Sequence, residues 1–541
     1  MAARGLAAGL LAGAAGVCVS YLIAGLTGPA SSPVVAVGEL AIDLSPPPVK
    51  DFAIREFGAH DKLALQIGVL VLLAAFAALI GLLAIRRIRS GLIGIAVFAA
   101  VGLVAAGSRP TATAAAVLPT LVGSAAAALT LMLLAGAAAE AATGADGGSA
   151  GAGAGSRTRG SGSSGSGRPA VPAATAPRRT ASLAVAEPRR RFLAIGSAVA
   201  GASAVAYAGG RLLGEHASVS AAERALHLPA PARPAPPLPA GSDLRIPGLS
   251  RFITPTAAFY RVDTAIVLPQ IPPSSWRLRI HGMVGRELTL SFGELLRRPL
   301  TEAYITLCCV SNPVAGPYIG NARWLGASLG ALLREVGIKA GADQLYCTSS
   351  DGFTSGTPVQ TAMDGRDALL AVAMNGQPLP VAHGFPVRTV IPGLYGYVSA
   401  CKWITDIEVT TYAANPAYWV QRGWAPRAPV KTECRIDVPS GQGPVTSGRT
   451  VIAGVAWAQH KGVDAVEVRV DRGPWTQAKL AAVPGIDTWR QWMLPWNATQ
   501  GTHQIQARAT DATGYTQTAL TAPPEPNGAT GYPVVNVTVG G

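Results

Sequence analysis

Four apolar runs without a charged residue fill most of the first 140 positions and constrain the fold more than any other feature. They span residues 5–27, 63–85, 91–107 and 114–138. A transmembrane helix needs about 20 apolar residues, so three runs are long enough and the run 91–107 is at the short end. Soluble cores do not line up several such runs. We therefore predict four transmembrane helices, which also explains why only 14% of the 541 residues are charged, against about a quarter in soluble proteins.

A fifth apolar run, residues 192–210, directly follows three arginines at positions 189–191. The pattern Arg-Arg-x-Phe-Leu ahead of an apolar stretch resembles a twin-arginine export signal, here inside the chain. The alternative is ordinary positive charge that precedes a membrane helix. Both interpretations place these arginines in the cytoplasm.

The distribution of charge between the runs predicts their orientation, because cytoplasmic loops carry an excess of Lys and Arg. Arg86, Arg87 and Arg89 separate the second and third runs, whereas the loop between the first and second is acidic on balance. Residues 143–191 hold eight arginines against two acidic residues, a balance of +6. We predict a cytoplasmic N-terminus, five crossings of a lipid bilayer, and an extracytoplasmic location for everything after about residue 211.

The same Gly/Ser-rich segment, residues 143–191, accounts for much of the formal net charge of +14. Its composition is typical of a flexible coil, and basic residues beside a membrane favour anionic lipid headgroups. No nucleic-acid recognition motif accompanies the charge, so we expect no nucleic-acid partner.

Beyond the fifth run the composition becomes that of a folded protein. Residues 228–239, LPAPARPAPPLP, predict a stiff extended spacer that holds a domain off the bilayer. Residues 276–284 alternate like a strand, and residues 291–297 and 325–336 have helical spacing. Without regular βαβ alternation, this mixture predicts an α+β domain.

From about residue 425 short alternating runs replace the helical pattern. They lie at residues 450–455, 465–470, 503–509 and 535–539, and they predict a small β-sandwich. The predicted divisions are 1–142 for the four-helix region, 143–191 for the linker, 192–210 for the fifth helix, 211–243 for the spacer, 244–424 for the catalytic domain and 425–541 for the β-sandwich.

Two segments of the catalytic domain are candidates for chemistry. Cys308 and Cys309 precede Val-Ser-Asn, and they are either small buried residues or the source of one thiolate for a soft metal or for nucleophilic attack. The loop HGFPVR presents His383 and Arg388, with Lys402 further on. Imidazole, guanidinium and ammonium groups suit an anion such as a phosphate, although a purely structural loop has the same composition.

Taken together, these segments resemble the sulfite oxidase family of molybdopterin enzymes. The matching residues are, in order, FYRVDT at 259–264, CVSN at 309–312, RWLG at 323–326, NGQPLP at 375–380, HGFPVR at 383–388, PG at 392–393 and KW at 402–403. Residues 452–456, 466–468 and 508–511 resemble the immunoglobulin-like domain that accompanies this fold. The predicted fold class is therefore multidomain: N-terminal all-α transmembrane helices, an α+β sulfite-oxidase-like molybdopterin domain and an immunoglobulin-like β-sandwich.

The resemblance implies a molybdenum–molybdopterin cofactor, a homodimer and specific site residues. Cys309 would be the metal ligand, Arg261 the anion-contacting catalytic arginine, and Trp424 the occupant of the family's active-site tyrosine position. The residues implied to hold the pterin and its phosphate are Tyr260, Arg261, Asp263, Asn312, Asp351, Thr357, His383, Arg388 and Lys402. The chemistry implied is oxygen-atom transfer to or from a small molecule.

Two departures leave the substrate open between sulfite and an S-oxide or N-oxide. Ser311-Asn312-Pro313 offers no cation where animal and plant sulfite oxidases have arginines, and a Trp at position 424 has no phenolic proton. None of the histidines lies in an apolar run, so we expect no haem and a separate redox protein as electron partner. The adjacent cysteines and the lack of a CxxC motif lead us to expect no zinc. One alternative is a catalytically silent envelope protein. Another is a transporter, but the apolar runs lack the charged residues that a transporter is expected to have within the membrane.

Overall fold

The computed structural model of the chain describes residues 2–46, 49, 61–109, 114–146, 181–216 and 218–540. The chain divides into two compact units, Met1–Ser218 and Val219–Gly541. Most of the predicted cytoplasmic linker, with the arginines at 157, 159, 168, 178 and 179, lies outside the described residues.

The first unit is helical. Its helices are α1 Ala2–Thr27, α2 Pro33–Leu44, α3 Asp61–Arg86, α4 Ile88–Gly107, α5 Leu118–Asp146 and α6 Ala181–His216. Within the described ranges, five of them are long and apolar enough to cross a membrane. Four contain a whole predicted run, while α5 begins at Leu118 and the first four residues of the run 114–138 form a 3-10 helix. Helix α2 was not predicted, because its 12 residues are too short for a span.

Glycine lets helix α1 approach its neighbours closely. A Cβ atom on Gly9 would lie 1.9 Å from the Ala77 carbonyl oxygen of α3, and one on Gly81 would lie 2.1 Å from the Gly5 carbonyl oxygen of α1. On α5, a Cβ atom at Gly123 would lie 1.9 Å from the Ser20 hydroxyl of α1. Small residues at such crossings are typical of helix packing in lipid.

The second unit begins with short helices, one mixed sheet and one antiparallel sheet. The helices are α7 Ser220–Ala225, α8 Phe292–Leu296, α9 Leu329–Val336, α10 Val359–Met363 and α11 Gly396–Ser399. The strands are β1 Arg277–Gly282, β2 Leu288–Ser291, β3 Leu300–Cys308, β4 Ile319–Ser328, β5 Gln344–Ser349, β6 Thr354–Pro358, β7 Leu369–Met374, β8 Gln377–Pro378, β9 Arg388–Val390 and β10 Ile404–Thr410. One sheet has the order β2-β1-β10-β5-β6, and the other has β3-β4-β7-β8 with β9 on β7.

The predicted strand at 276–284 and helix at 291–297 are confirmed by β1 and α8. The predicted helix over residues 325–336 is wrong in its first part. Strand β4 continues to Ser328, and α9 begins at Leu329, where the Ser328 hydroxyl accepts a hydrogen bond from the Ala331 N–H. Strand β4 lies between β3 and β7, and the side chains on both of its faces are mostly buried. Its apolar run therefore cannot be distinguished from a buried helix by pattern.

The predicted spacer is extended but not free-standing. The Arg233 N–H donates to the Leu300 carbonyl at 3.1 Å, and the Arg233 carbonyl accepts from the Glu302 N–H at 2.8 Å. Residues around Arg233 therefore lie along β3, which is an edge strand of its sheet. An edge strand offers unpaired N–H and C=O groups, and the proline-rich segment satisfies them here.

Two further sheets form the C-terminal region. Their strands are β11 Glu433–Val438, β12 Val445–Thr446, β13 Gly448–Trp457, β14 Val463–Val470, β15 Thr476–Gln477, β16 Lys479–Leu480, β17 Arg490–Ala498, β18 Gly501–Asp511 and β19 Val534–Gly540. The sheets, β11-β13-β17-β16 and β12-β19-β18-β14-β15, share one apolar core. The four predicted strands are confirmed by β13, β14, β18 and β19, while the immunoglobulin-like assignment stays a prediction.

Candidate functional site

The two adjacent cysteines have different surroundings at the end of β3. Cys308, the last residue of the strand, is fully buried in the apolar core. Cys309 begins the following loop, where its N–H donates to the Tyr318 carbonyl at 2.9 Å and its Sγ lies 3.0 Å from the Ser311 hydroxyl. Burial raises the pKa of the Cys309 thiol, and the hydrogen bond with Ser311 and the charge of Lys402 act against that rise.

Asp263 joins two of the predicted cations. Its carboxylate accepts hydrogen bonds from Lys402 Nζ at 2.7 Å and from Arg261 Nε at 2.8 Å. The Asp263 and Lys402 side chains are 3% and 10% exposed, whereas that of Arg261 is 42% exposed. Burial lowers the pKa of Lys402 to about 8, although Asp263 acts in the opposite direction. Arg261 therefore presents a solvent-accessible positive group next to a buried ion pair.

His383 and Arg388 come together because the loop between them turns back on itself at Gly384, which has a φ of 110°. Arg388 Nη1 donates to the His383 carbonyl at 3.0 Å, and the guanidinium lies 5.2 Å from the centre of the Trp324 ring. Burial lowers the pKa of Arg388 to about 10. Burial, with the charges of Arg388 and Lys402, lowers the pKa of His383 to about 4, so this imidazole is neutral at pH 7.

Aromatic rings connect these groups. Phe259 stacks on Tyr260 with centroids 5.2 Å apart, and it meets His383 edge-on at 5.7 Å and Trp324 at 5.8 Å. Burial, together with Cys309 and Cys308 nearby, raises the pKa of Tyr260. Phe259, Trp324 and Ser311 were predicted only as parts of family motifs. Their contacts with site residues could be read only from the packing.

Three further predicted residues hold backbone in place. Asn312 Oδ1 accepts from the Tyr318 N–H at 2.7 Å, which closes the loop that follows Cys309. The buried Thr357 hydroxyl donates to the Val398 carbonyl. Asp351 Oδ1 accepts from the Phe353 N–H at 3.0 Å within its own turn, which is a structural contact rather than a link to the cations.

Trp424 belongs to an aromatic cluster. Its ring lies 5.9 Å from that of Tyr397 and 6.0 Å from that of Trp419. Tyr397 follows Gly396, and a Cβ atom on Gly396 would lie 3.6 Å from the Cys308 carbonyl and 3.8 Å from the Tyr260 hydroxyl. Trp424 thus packs on Tyr397, the residue after Gly396, and no described contact joins Trp424 to Cys309.

The structure therefore brings Arg261, Asp263 and Lys402 into one ion-paired group, and it brings Tyr260, His383 and Arg388 into one aromatic and cationic group. Both groups act electrostatically on each other, because the charge of Lys402 influences His383. Three basic side chains against one carboxylate leave a local excess of positive charge. Such an arrangement can bind an anionic group and orient it beside a thiol.

Comparison with known proteins gives a consistent picture. Residues 265–419 match the family model described as "Oxidoreductase molybdopterin binding domain". Sulfite oxidase of Gallus gallus is 32% identical over 322 residues, which are 50% of this chain and 70% of that protein. Mitochondrial sulfite oxidase of Homo sapiens is 31% identical over 309 residues, 48% of this chain and 56% of that protein.

Two other similarities are more limited. An uncharacterized oxidoreductase of Bacillus subtilis, YuiH, is 30% identical over 151 residues, 28% of this chain and 73% of that protein. The crystal structure of the sulfane dehydrogenase SoxCD from Paracoccus pantotrophus covers 53% of this chain and 84% of that chain, with 24% identity and a TM-score of 0.46. The chain spans only about half the length of the mammalian relatives it matches.

Proposed function

Since the chain belongs to the sulfite oxidase family of molybdenum-dependent, molybdopterin-binding oxidoreductases, we propose that it is a membrane-anchored, extracytoplasmic enzyme that transfers an oxygen atom at a molybdenum ligated by Cys309. The observation that carries the proposal is the placement of the buried cations Arg388 and Lys402 in one fold with the buried thiol of Cys309, whose pKa the charge of Lys402 influences. A fold that bound no anion would have no use for burying Arg388 and Lys402, because buried charge is costly.

The residues present fit a pterin with a phosphate. Asn312 Nδ2 is a buried donor without a partner among the described residues, and buried donors are nearly always satisfied. A bound pterin would supply the missing acceptor. Arg388 and Lys402 supply the charge and donors that a phosphate requires, and both lie beside Gly384, where an added Cβ atom would be 3.0 Å from Arg388 Cβ and 3.2 Å from Lys402 Cα.

Each site residue has a distinct role in this proposal. Molybdenum, when bound, would supply the oxygen-transfer chemistry and would accept the two electrons that the substrate gives up. Cys309 would hold the metal as a thiolate, since a metal ligand must be deprotonated, although burial raises the pKa of the free thiol. Neutral His383 donates its Nε2–H to the Thr256 carbonyl at 3.3 Å, which fixes the orientation of the imidazole. Asp263 orients Lys402 and Arg261 together.

Arg261 is the residue that we assign to the substrate. It is the most exposed of the three cations, so a small anion from solvent can reach its guanidinium, which suits the oxyanion of sulfite. Trp424 packs on Tyr397, and burial raises the pKa of the Tyr397 hydroxyl. We therefore propose a sulfite-like substrate, with Trp424 excluding water rather than donating a proton.

The location and the partners are part of the same proposal. Five helices long and apolar enough for a membrane are present in the described ranges, and the arginine distribution supports an extracytoplasmic catalytic domain. The arginines at 189–191 support use of the twin-arginine route. The electron partner is a separate redox protein, and the immunoglobulin-like region forms a homodimer.

Metal content tests the assignment of Cys309. We expect the full chain, purified in detergent from a host that makes the cofactor, to contain about one molybdenum per chain, and the Cys309→Ser variant to contain almost none, because the hydroxyl is a poor soft-metal ligand. Cys308→Ala is the matched control and should keep its molybdenum. A metal-free wild-type protein, or metal retained in Cys309→Ser, would overturn the proposal.

Turnover distinguishes the direction of the reaction. We expect sulfite-dependent reduction of an artificial one-electron acceptor, and a large rise in KM with Arg261→Ala, because the exposed guanidinium binds the anion. Reduction of a sulfoxide by a reduced dye, without sulfite oxidation, would instead identify the enzyme as an oxide reductase.

A further inference from the structure

The loop between Cys309 and Tyr318 holds two of the residues on which the proposed function rests. The Asn312 N–H donates to the Cys309 carbonyl at 3.1 Å, and the Tyr318 N–H donates to Asn312 Oδ1 at 2.7 Å. These bonds give the loop its shape. They do not anchor its tip, residues 313–316, to the rest of the fold.

The tip has a backbone conformation that needs support. Ala315 has a φ of 62°, in the left-handed region that residues other than glycine occupy rarely and at a cost in free energy. Such a conformation persists only where the surroundings hold it. A side chain that binds the adjacent backbone would supply that support.

Arg435, on strand β11 of the C-terminal sheets, makes this contact. Its Nη1 donates to the Gly316 carbonyl at 2.8 Å. Gly316 in turn packs directly on Asn312, since a Cβ atom at Gly316 would lie 2.5 Å from Asn312 Oδ1. Any displacement of the tip is therefore transmitted to Asn312 and, through the loop hydrogen bonds, to Cys309.

The guanidinium is itself oriented from two directions. Its Nε donates to Asp437 Oδ1 at 2.6 Å, and its Nη2 donates to the Ser250 hydroxyl at 2.9 Å. Asp437 also accepts from the Ser250 N–H at 3.0 Å. The Arg435 and Asp437 side chains are only 13% and 8% exposed. A planar donor group with three separate acceptors has essentially one available orientation.

We infer that Arg435 is a positioning residue through which the C-terminal sheets hold the loop that carries Cys309 and Asn312. This inference rests on the proposed function, because it takes Cys309 as the metal ligand. It also assigns the C-terminal region a task besides assembly: the region completes the support of the metal-binding loop. Hydrogen bonds to the groups behind a metal ligand orient that ligand in other proteins.

Amide hydrogen exchange of the full chain, with cofactor bound, tests the inference directly. A hydrogen bond to a charged group is worth roughly 10- to 100-fold in an equilibrium constant. We therefore expect the amides of Cys309, Asn312, Gly316 and Tyr318 to exchange roughly 10- to 100-fold faster in Arg435→Met, with an intermediate rate in Arg435→Lys, which keeps the charge but not the fork.

Gln491→Met is the matched control. Gln491 is buried in the same interface, where its side chain bonds the Leu244 N–H at 2.7 Å and the Ser250 carbonyl at 2.7 Å. The variant loses interface hydrogen bonds without touching the loop, so its loop amides should exchange as in wild type. Equal exchange rates of the loop amides in Arg435→Met and Gln491→Met would mean that Arg435 only stabilises the interface, and would overturn the inference.

A spectroscopic readout separates this inference from the proposed function. If Arg435 positions Cys309, the Mo(V) EPR signal of Arg435→Met should shift or broaden, and kcat should fall with KM nearly unchanged, because Arg261 is untouched. A metal-free wild-type protein would end the proposed function itself. A loaded wild type with an unchanged EPR signal and unchanged loop exchange in Arg435→Met would end the positioning role alone.

Discussion

The helical unit and the unit that carries the site differ in the groups that make their closest internal contacts. In the helical unit, close contact is made by glycine backbone, as at Gly9 and Gly81, where the helices α1 and α3 approach each other. In the second unit, charged side chains such as Arg388 and Lys402 are buried and held by carbonyl and carboxylate oxygens. Ionisable groups whose pKa values are strongly shifted by burial cluster at functional sites. The difference locates the chemistry in the second unit and indicates a packing role for the glycines of the first.

The largest effect is expected where the buried charges are held. Asp263→Asn should destabilise the second unit by about 3–5 kcal/mol, because two cations lose their counter-charge and Lys402 is left buried. Thermal unfolding of the cofactor-free protein measures the change. Glu287→Gln is the control, since it removes the exposed pair with Arg279 and should leave the melting temperature unchanged. Equal shifts in both variants would show that Asp263 is no more than a surface partner.

Replacement of a buried carboxyl in the same unit, that of Glu433, should increase the free energy of unfolding. Burial raises the pKa of Glu433 to about 8, and its Oε1 has no partner among the described residues. The folded state therefore keeps a proton that the unfolded state loses, and stability falls as pH rises from about 4.5 to about 8. Glu433→Gln should remove this slope and stabilise the protein by about 2–4 kcal/mol at pH 8. Denaturant unfolding at pH 5 and pH 8 measures both values.

A change of stability with pH that is the same in Glu433→Gln and wild type would contradict that prediction. It would mean that the carboxyl finds a partner in solution, so that the contrast between the two units is weaker than the structure indicates.

The helical unit predicts a smaller, purely steric effect. Gly81→Ala places a Cβ atom 2.1 Å from the Gly5 carbonyl oxygen, and overpacking of this kind costs about 1–3 kcal/mol. Gly68→Ala lies on the same helix α3 with nothing within 4 Å of the added atom, and should be neutral. Unfolding in detergent measures both variants. Equal stability of Gly81→Ala and Gly68→Ala would mean that α1 and α3 do not cross closely at Gly81.

The smallest predicted effect depends on pH. Burial, with the charges of Arg388 and Lys402, lowers the pKa of His383 to about 4. Between about pH 4 and pH 6.5 the imidazole is therefore protonated in the unfolded state and neutral in the folded state. Stability should therefore fall as pH drops from about 6.5 towards 4, by about 2 kcal/mol between pH 7 and pH 5. His383→Asn should flatten that part of the profile in the cofactor-free protein. A wild-type profile that is already flat there would contradict a neutral, buried imidazole.

Much of this molecule could be predicted from local pattern. The five membrane-length helices follow from runs of apolar residues, and β1, β13, β14, β18 and β19 follow from alternation, because each depends on neighbours within a few residues. Residues 325–336 mark the limit. Leu325 belongs to a strand that is buried on both faces, and a continuous apolar run carries no periodicity that separates such a strand from a helix.

The sequence by itself determined the order of the family motifs, the apolar runs and the identity of Cys309 as the cysteine beside Val-Ser-Asn. Only the tertiary structure decided that Asp263 meets Lys402 across 139 positions, that the proline-rich segment lies along β3, and that Arg435 reaches Gly316 across 119 positions. The physical reason is the range of the interactions. Hydropathy and periodicity are properties of consecutive residues, whereas ion pairs and loop anchors form between chain segments that only the packing of the whole fold brings together.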